Sequence, residues 1–134
     1  MNLTYMVETD WAIYWLRGRK PIMESIRKLH EQGLGLSIIS LAELYTGMFR
    51  SDNISIAKEG LEDFLSFVTI LNVDEDICQI FGEENARLRK EGQIIEDFDL
   101  MIASTCLYHN LKLLTNNRRH FERIEGLHII SIDQ

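Results

Sequence analysis

Four carboxylates and two amides stand out because the chain around them is apolar. Glu8 closes the run Leu3-Thr4-Tyr5-Met6-Val7, Glu43 sits within Leu41-Ala42-Glu43-Leu44, and Asp97 and Asp99 precede Leu100-Met101-Ile102-Ala103. Asn116 and Asn117 follow Leu113-Leu114-Thr115. A carboxylate in apolar surroundings must be paired, hydrated or metal-bound. Oxygen donors of this kind suit a hard divalent cation, Mg²⁺ or Mn²⁺, better than zinc. Such a cation can activate water for attack on a phosphodiester and neutralise charge developing on the phosphoryl oxygens. No hydroxyl or thiol is paired with an identifiable histidine base, so covalent hydrolysis finds no support. His30, His109, His120 and His128 are scattered without ligand spacing; none is assigned to catalysis, and only His120 is kept as a candidate substrate contact.

Each of these residues also has an ordinary structural reading. Glu43 can close a capping box with Ser40, three positions earlier. Asp97 can be a helix N-cap, and Asp99 can favour the helix dipole from the first turn. Asn116 and Asn117 are natural turn residues. Glu8 is the hardest to explain this way, because it ends an apolar strand. Residue types and spacing alone reach an α/β domain with an acidic metal site, and leave a structural role open for every member.

The elements that would position the carboxylates follow from periodicity. Short apolar runs at 3–7, 34–39, 68–73, 112–115 and 127–132 read as strands. Helical spacing connects them: one helix capped by Thr9 or Asp10 and stopped by Gly18, one opened by Pro21 and ended by Gly33, one from Leu41 to Phe49 after Ser40. A helix carrying Ile56, Leu61, Phe64 and Leu65 follows a loop at 51–54. A long helix begins at Asp74, another near Asp97, and a turn with a short helix spans 116–121. Strands alternating with helices predict a mostly parallel sheet of four to five strands with helices on both faces, in one domain spanning 1–134. In open sheets of this kind, residues just beyond the carboxyl ends of the strands converge on a crevice. Glu8, Glu43 and Asp99 are therefore expected to meet despite lying 35 and 56 residues apart.

Composition narrows the partners. The 134 residues carry a net charge of −7, and residues 51–100 hold thirteen acidic against four basic side chains. A protein that grips nucleic acid mainly by charge would have the opposite sign, although a cation among carboxylates changes the local field. Cys78 and Cys106 lack a CxxC partner and read as small hydrophobes of a reduced protein. No stretch approaches the roughly 18 apolar residues of a membrane span, and the N-terminus lacks a basic leader, so a cytoplasmic protein is expected.

Three blocks in order carry a family resemblance across almost the whole chain: MVETDWAIYWLRG, SIISLAELYTGMFR and IIEDFDLMIASTCLYHNLKLLTNNRRHFERIEGLHII. In these the sequence resembles the PIN-domain ribonucleases, specifically the VapC-like toxins of bacterial toxin–antitoxin systems. The resemblance implies a PIN-like fold and a magnesium-dependent endoribonuclease (Mn²⁺ can substitute) that hydrolyses RNA with metal-activated water. It implies that Glu8, Glu43 and Asp99 are metal ligands, that Asp97 is a further, less constant acidic position, and that Thr115 and Asn116 shape the site and contact the scissile phosphate or the metal-bound water. Two positions depart from the family pattern: Glu8 stands where aspartate is strongly preferred, and His120 where Asp or Glu commonly precedes the phenylalanine.

The resemblance also implies a homodimer and a cognate small antitoxin whose tail lies in an apolar groove and presents a basic side chain to the acidic pocket. The first helix and Met48-Phe49 are candidate groove residues, with core packing as the alternative. Trp11, Tyr14 and Trp15 read as packing or interface anchors. Arg17, Arg19, Lys20 and Arg50 are candidate contacts to RNA phosphates or a solvated surface. Two rivals remain. One is a catalytically weakened PIN domain, with Glu8 as its support, acting as an antitoxin-binding interaction module. The other is a receiver-like domain, disfavoured because strand 68–73 ends without a phosphoacceptor aspartate.

Overall fold

A computed structural model describes residues 2–132. In chain order the elements are β1 (Tyr5–Val7), α1 (Thr9–Leu16), α2 (Lys20–Leu29), a 3₁₀ turn (His30–Gln32), β2 (Leu34–Ser37), α3 (Ile38–Phe49) and α4 (Ile54–Leu65). Then come β3 (Thr69–Leu71), α5 (Glu75–Lys90), α6 (Asp97–Tyr108), β4 (Lys112–Leu114), α7 (Arg118–Phe121) and β5 (Ile129–Ile130). The five strands form one sheet in the order β3-β2-β1-β4-β5, with every pairing parallel. This is the α/β architecture expected from the alternation of strand and helix, and it agrees with the PIN-like fold that the resemblance implied.

Alternating side chains divide the core between the two faces. Val7, Leu34, Leu36 and Leu114 join Trp11, Trp15, Ile22, Ile26 and Phe64 under α1–α4. Met6, Leu113 and Ile129 join Leu88, Leu100, Ile102 and Phe121 under α5–α7. A parallel sheet requires apolar residues on both faces, which is why its strands read as continuous apolar runs. Trp11 and Trp15 are buried, so they pack the core of the single chain and are not interface anchors.

Register sets up the site. Val7 pairs with Leu36 on one side and Leu114 on the other. The next residues, Glu8 and Thr115, therefore leave the sheet together at its carboxyl edge, beside Ser37, the last residue of β2. Strand order reverses at β1, and such a reversal opens a crevice at that edge.

Several local expectations are corrected. The helix expected to open after Ser40 begins at Ile38, capped by Ser37, whose Oγ accepts the Ile39 N–H at 3.1 Å. The Ser40–Glu43 capping box therefore does not form; Ser40 is inside the helix and buried. The β-branched pair Ile38-Ile39 resembles a strand, but strand pairing ends at Ser37 and the helix takes over. The first helix is capped by Glu8 rather than Thr9 or Asp10, and α6 by Glu96 rather than Asp97, without a side-chain bond. Cys106 is buried as expected, whereas Cys78 is exposed on α5. Gly33 has φ +89°, and a Cβ there would lie 2.2 Å from the Asn2 carbonyl oxygen, so only glycine fits the turn into β2.

Candidate active site

Glu8 sits at the junction of β1 and α1, 5% exposed. Its Oε2 accepts the Asp10 N–H at 3.1 Å and lies 3.2 Å from the Thr115 hydroxyl. Burial is the largest of the influences that push its pKa up to about 9; a hydrogen bond to the Asp10 carboxylate and the charges of Asp10 and Asp99 add to it. Without a cation, this surrounding favours the protonated form of Glu8. The folded-state pKa lies above the ordinary 4.5, so the folded state binds more protons than the unfolded chain between about pH 4.5 and 9. The metal-free protein should accordingly lose stability as pH rises through that window, by on the order of a few kcal/mol. Urea unfolding in EDTA across the window measures this. Glu8→Gln, which imitates the protonated acid, should flatten the profile; an unchanged slope in the variant would assign the effect elsewhere.

Glu43 projects from the second turn of α3. Its Oε1 lies 2.8 Å from the Thr9 hydroxyl, which also lies 2.8 Å from Ser40 Oγ. Partial burial raises the Glu43 pKa against the Thr9 hydrogen bond, and the charges of Asp99 and Glu96 raise it further. Asp99 lies in the first turn of α6, where its Oδ2 is 2.9 Å from His120 Nε2. Its charge is felt at both Glu8 and Glu43. Carboxylates from three separate elements thus share one electrostatic neighbourhood at the sheet edge.

Asp10 binds the two sides of the crevice together. Its Oδ1 accepts the Trp11 N–H at 2.8 Å and lies 3.1 Å from the Thr115 hydroxyl, while Oδ2 accepts the Asn116 N–H at 2.9 Å. The Asn116 side chain is spent within the protein. Its Oδ1 accepts from Trp11 Nε1 at 3.0 Å and from Ile132 N at 3.1 Å, and its Nδ2 donates to the Ile132 carbonyl at 2.8 Å. Asn117 N–H donates to Thr115 Oγ1 at 3.0 Å. Asn116 therefore orders the loop after β4 through bonds to the protein itself.

The remaining expected residues lie further out. Asp97 is exposed, two positions before Asp99 and so about 200° around the helix from it. Arg17 caps the end of α1 and, with Glu43, lines a groove of about 560 Å³ walled by Ile13, Leu16, Leu44, Met48, Ile56 and Leu61. Arg50 is exposed at the end of α3, seven residues and about 10 Å beyond Glu43 along the axis. Residues given no site role from sequence also enter the site, Thr9 and Asp10 as tethers and Glu96 as a charge near Glu43, while His120, kept from sequence only as a candidate substrate contact, is the partner of Asp99. Three consecutive polar residues directly after a buried strand were the available signal for the first two; only folding brings His120 to Asp99.

A family profile described as PIN domain matches residues 5–127. The chain belongs to the PIN-domain family. Within it the likeness is to VapC proteins: ribonuclease VapC2 of Haemophilus influenzae is 35% identical over 131 residues, covering 93% of this chain and 95% of that protein. The tRNA(fMet)-specific endonuclease VapC of Shigella flexneri is 28% identical, again over 93% of this chain and 95% of that one. The crystal structure of VapBC2 from Rickettsia felis bound to a promoter DNA fragment superposes with a TM-score of 0.92 at 29% identity, covering 98% of this chain and 100% of that chain.

Whether this PIN domain suits a divalent cation can be judged from its donors. Among the described residues, no group of three or more His, Cys, Asp or Glu side chains is drawn into a ready cage. The chemistry nevertheless fits. The donors are hard carboxylate oxygens; burial first, and then neighbouring carboxylate charge, that of Asp99 included, disfavours the ionised forms of Glu8 and Glu43, and a cation offsets both.

Proposed function

We propose that this PIN domain is a metal-dependent endoribonuclease, the toxin of a toxin–antitoxin pair. Family membership supports a ribonuclease toxin in general. The observation that carries the specific reading is the shared neighbourhood of Glu8, Glu43 and Asp99 at the reversal of strand order. These three residues would hold Mg²⁺ or Mn²⁺. When bound, the cation supplies a Lewis acid that activates water and stabilises charge on the phosphoryl group.

The protein's own residues account for the rest. Thr9 orients Glu43, and Asp10 with Thr115 fixes the turn that carries Glu8. Asn116 fixes the loop that brings Thr115 beside them. Arg17, at the rim of the groove, would meet an RNA phosphate. Asp97 and Arg50 would act at the periphery. The test is cleavage of a panel containing initiator transfer RNA, other structured transfer RNAs and ribosomal RNA. Cleavage with Mg²⁺ or Mn²⁺ that stops in EDTA is expected. Metal-independent cleavage would overturn the proposal.

The weakened-enzyme reading keeps one supporting observation, the buried Glu8 in place of the family's aspartate. In either case the groove between α1, α3 and α4 suits an amphipathic antitoxin segment, with exposed Tyr45, Phe49, Ile54 and Ile56 on the same elements and Glu43 at the site end for a basic side chain. A homodimer in the cytoplasm completes the proposal; among the described residues no helix is long and apolar enough to cross a membrane.

A further inference from the structure

We propose that His120 is the positioning residue of Asp99, fixing by hydrogen bond the orientation that an additional carboxylate cannot provide. The inference rests on the metal-site reading above and concerns one contact. His120 Nε2 lies 2.9 Å from Asp99 Oδ2, with the two side chains 24% and 22% exposed. Both ends of this contact are anchored. Phe121, next to His120, and Leu100, next to Asp99, are fully buried in the same core cluster. The pair is therefore held in register by packing beneath it, while the polar groups meet at the mouth of the crevice.

The chemistry of the contact is one-sided. The imidazole nitrogen donates to the carboxylate whether the ring is the neutral Nε2–H tautomer or the imidazolium. One oxygen of Asp99 is thereby engaged, and the other is left for a cation. Carboxylates that ligate metals are commonly held by an outer hydrogen bond, and losing such a partner typically weakens metal binding about 10–100-fold. An Asp or Glu at position 120 would bring a like charge against Asp99 in the absence of a cation. His120 instead holds one oxygen of the carboxylate in place before any cation arrives. The ring is a donor to the ligand and not itself a ligand.

The experiment is a Mn²⁺ titration of the full chain, followed by the electron paramagnetic resonance of free Mn²⁺, for the parent, His120→Ala, His120→Gln and Asp99→Asn. Circular dichroism in EDTA confirms folding. If the alanine variant loses its fold, His120→Phe, which fills the space without a donor, takes its place. His120→Ala should bind Mn²⁺ about 10–100-fold more weakly, and His120→Gln, which keeps an N–H donor, should restore most of the affinity. An alanine variant binding as tightly as the parent, or more tightly, would overturn the role. A glutamine variant as weak as alanine would show that the N–H is not what matters, and overturns it too. Failure of the underlying metal reading looks different: the parent itself would bind no more Mn²⁺ than Asp99→Asn.

Discussion

Replacing Asp99 by asparagine is expected to reduce RNA cleavage by roughly 10²–10³-fold, the size of effect seen when one preorganised electrostatic group is removed from an active site. The same change should leave the metal-free protein no less stable than the parent. The two halves have one physical origin. Asp99 is the carboxylate whose charge reaches both Glu8 and Glu43, raising the pKa of each. Asparagine removes that charge, keeps the size of the side chain, and retains an oxygen to accept the His120 bond. A residue kept for structure would behave in the opposite way, because losing a buried or paired carboxylate normally destabilises. Single-turnover cleavage at saturating Mg²⁺ and thermal unfolding in EDTA read the two effects separately. Undiminished cleavage would place the chemistry elsewhere. A loss of stability above about 2 kcal/mol would make Asp99 a structural residue.

The division between what could be read from the chain and what could not follows the range of the interactions. The parallel sheet and its helices were legible because apolar runs and helical spacing are local signals, and Pro21, Asp74 and Gly33 mark boundaries through their own backbone or capping chemistry. The meeting of Glu8 and Thr115 follows from register, once β1 is known to lie between β2 and β4. Ser40 shows where local signals mislead. Its spacing to Glu43 matches a capping box, yet the helix starts three residues earlier and the Ser40 hydroxyl faces Thr9 from another element. The bond that organises Glu43 thus spans 34 residues, and no local pattern contains it.

Which acidic residues face one another is likewise set by the fold and not by residue type or spacing. Asp97 has the residue type and the spacing, but helical rotation carries it away from Asp99. Glu96, one position earlier, is the residue whose charge reaches Glu43. Asp10 read as a capping residue and proves to be the junction between the turn after β1 and the loop after β4. Asn116 had the reverse fate. Its amide is engaged at both ends by Trp11 and Ile132, so its contribution passes through loop order.

Glu8→Asp is expected to raise metal-dependent cleavage, by up to about 100-fold. Glu8 curls back so that Oε2 meets the Asp10 N–H and the Thr115 hydroxyl, serving as the N-cap of α1. Aspartate is among the preferred N-cap residues and makes the same kind of bond with one methylene fewer. Glutamate's oxygens sit roughly 1 Å further out at full reach, with an added rotatable bond, whereas catalytic groups need placement within about 0.5 Å. A misplacement of about 1 Å can cost roughly 100-fold, or about 2.7 kcal/mol. The longer side chain must also surrender its proton and its present hydrogen bonds before it can serve a cation. The comparison is single-turnover cleavage of one susceptible RNA by the parent, Glu8→Asp and Glu8→Gln, with Mg²⁺ and again with Mn²⁺. Glu8→Gln keeps the cap but has no charge to give, so it should be the least active of the three. Equal or lower activity of the aspartate variant would mean that the backbone has adapted to glutamate and that Glu8 is a fully competent ligand. Cleavage by none of them, on a panel that includes structured transfer and ribosomal RNAs, would favour the antitoxin-binding module over the enzyme.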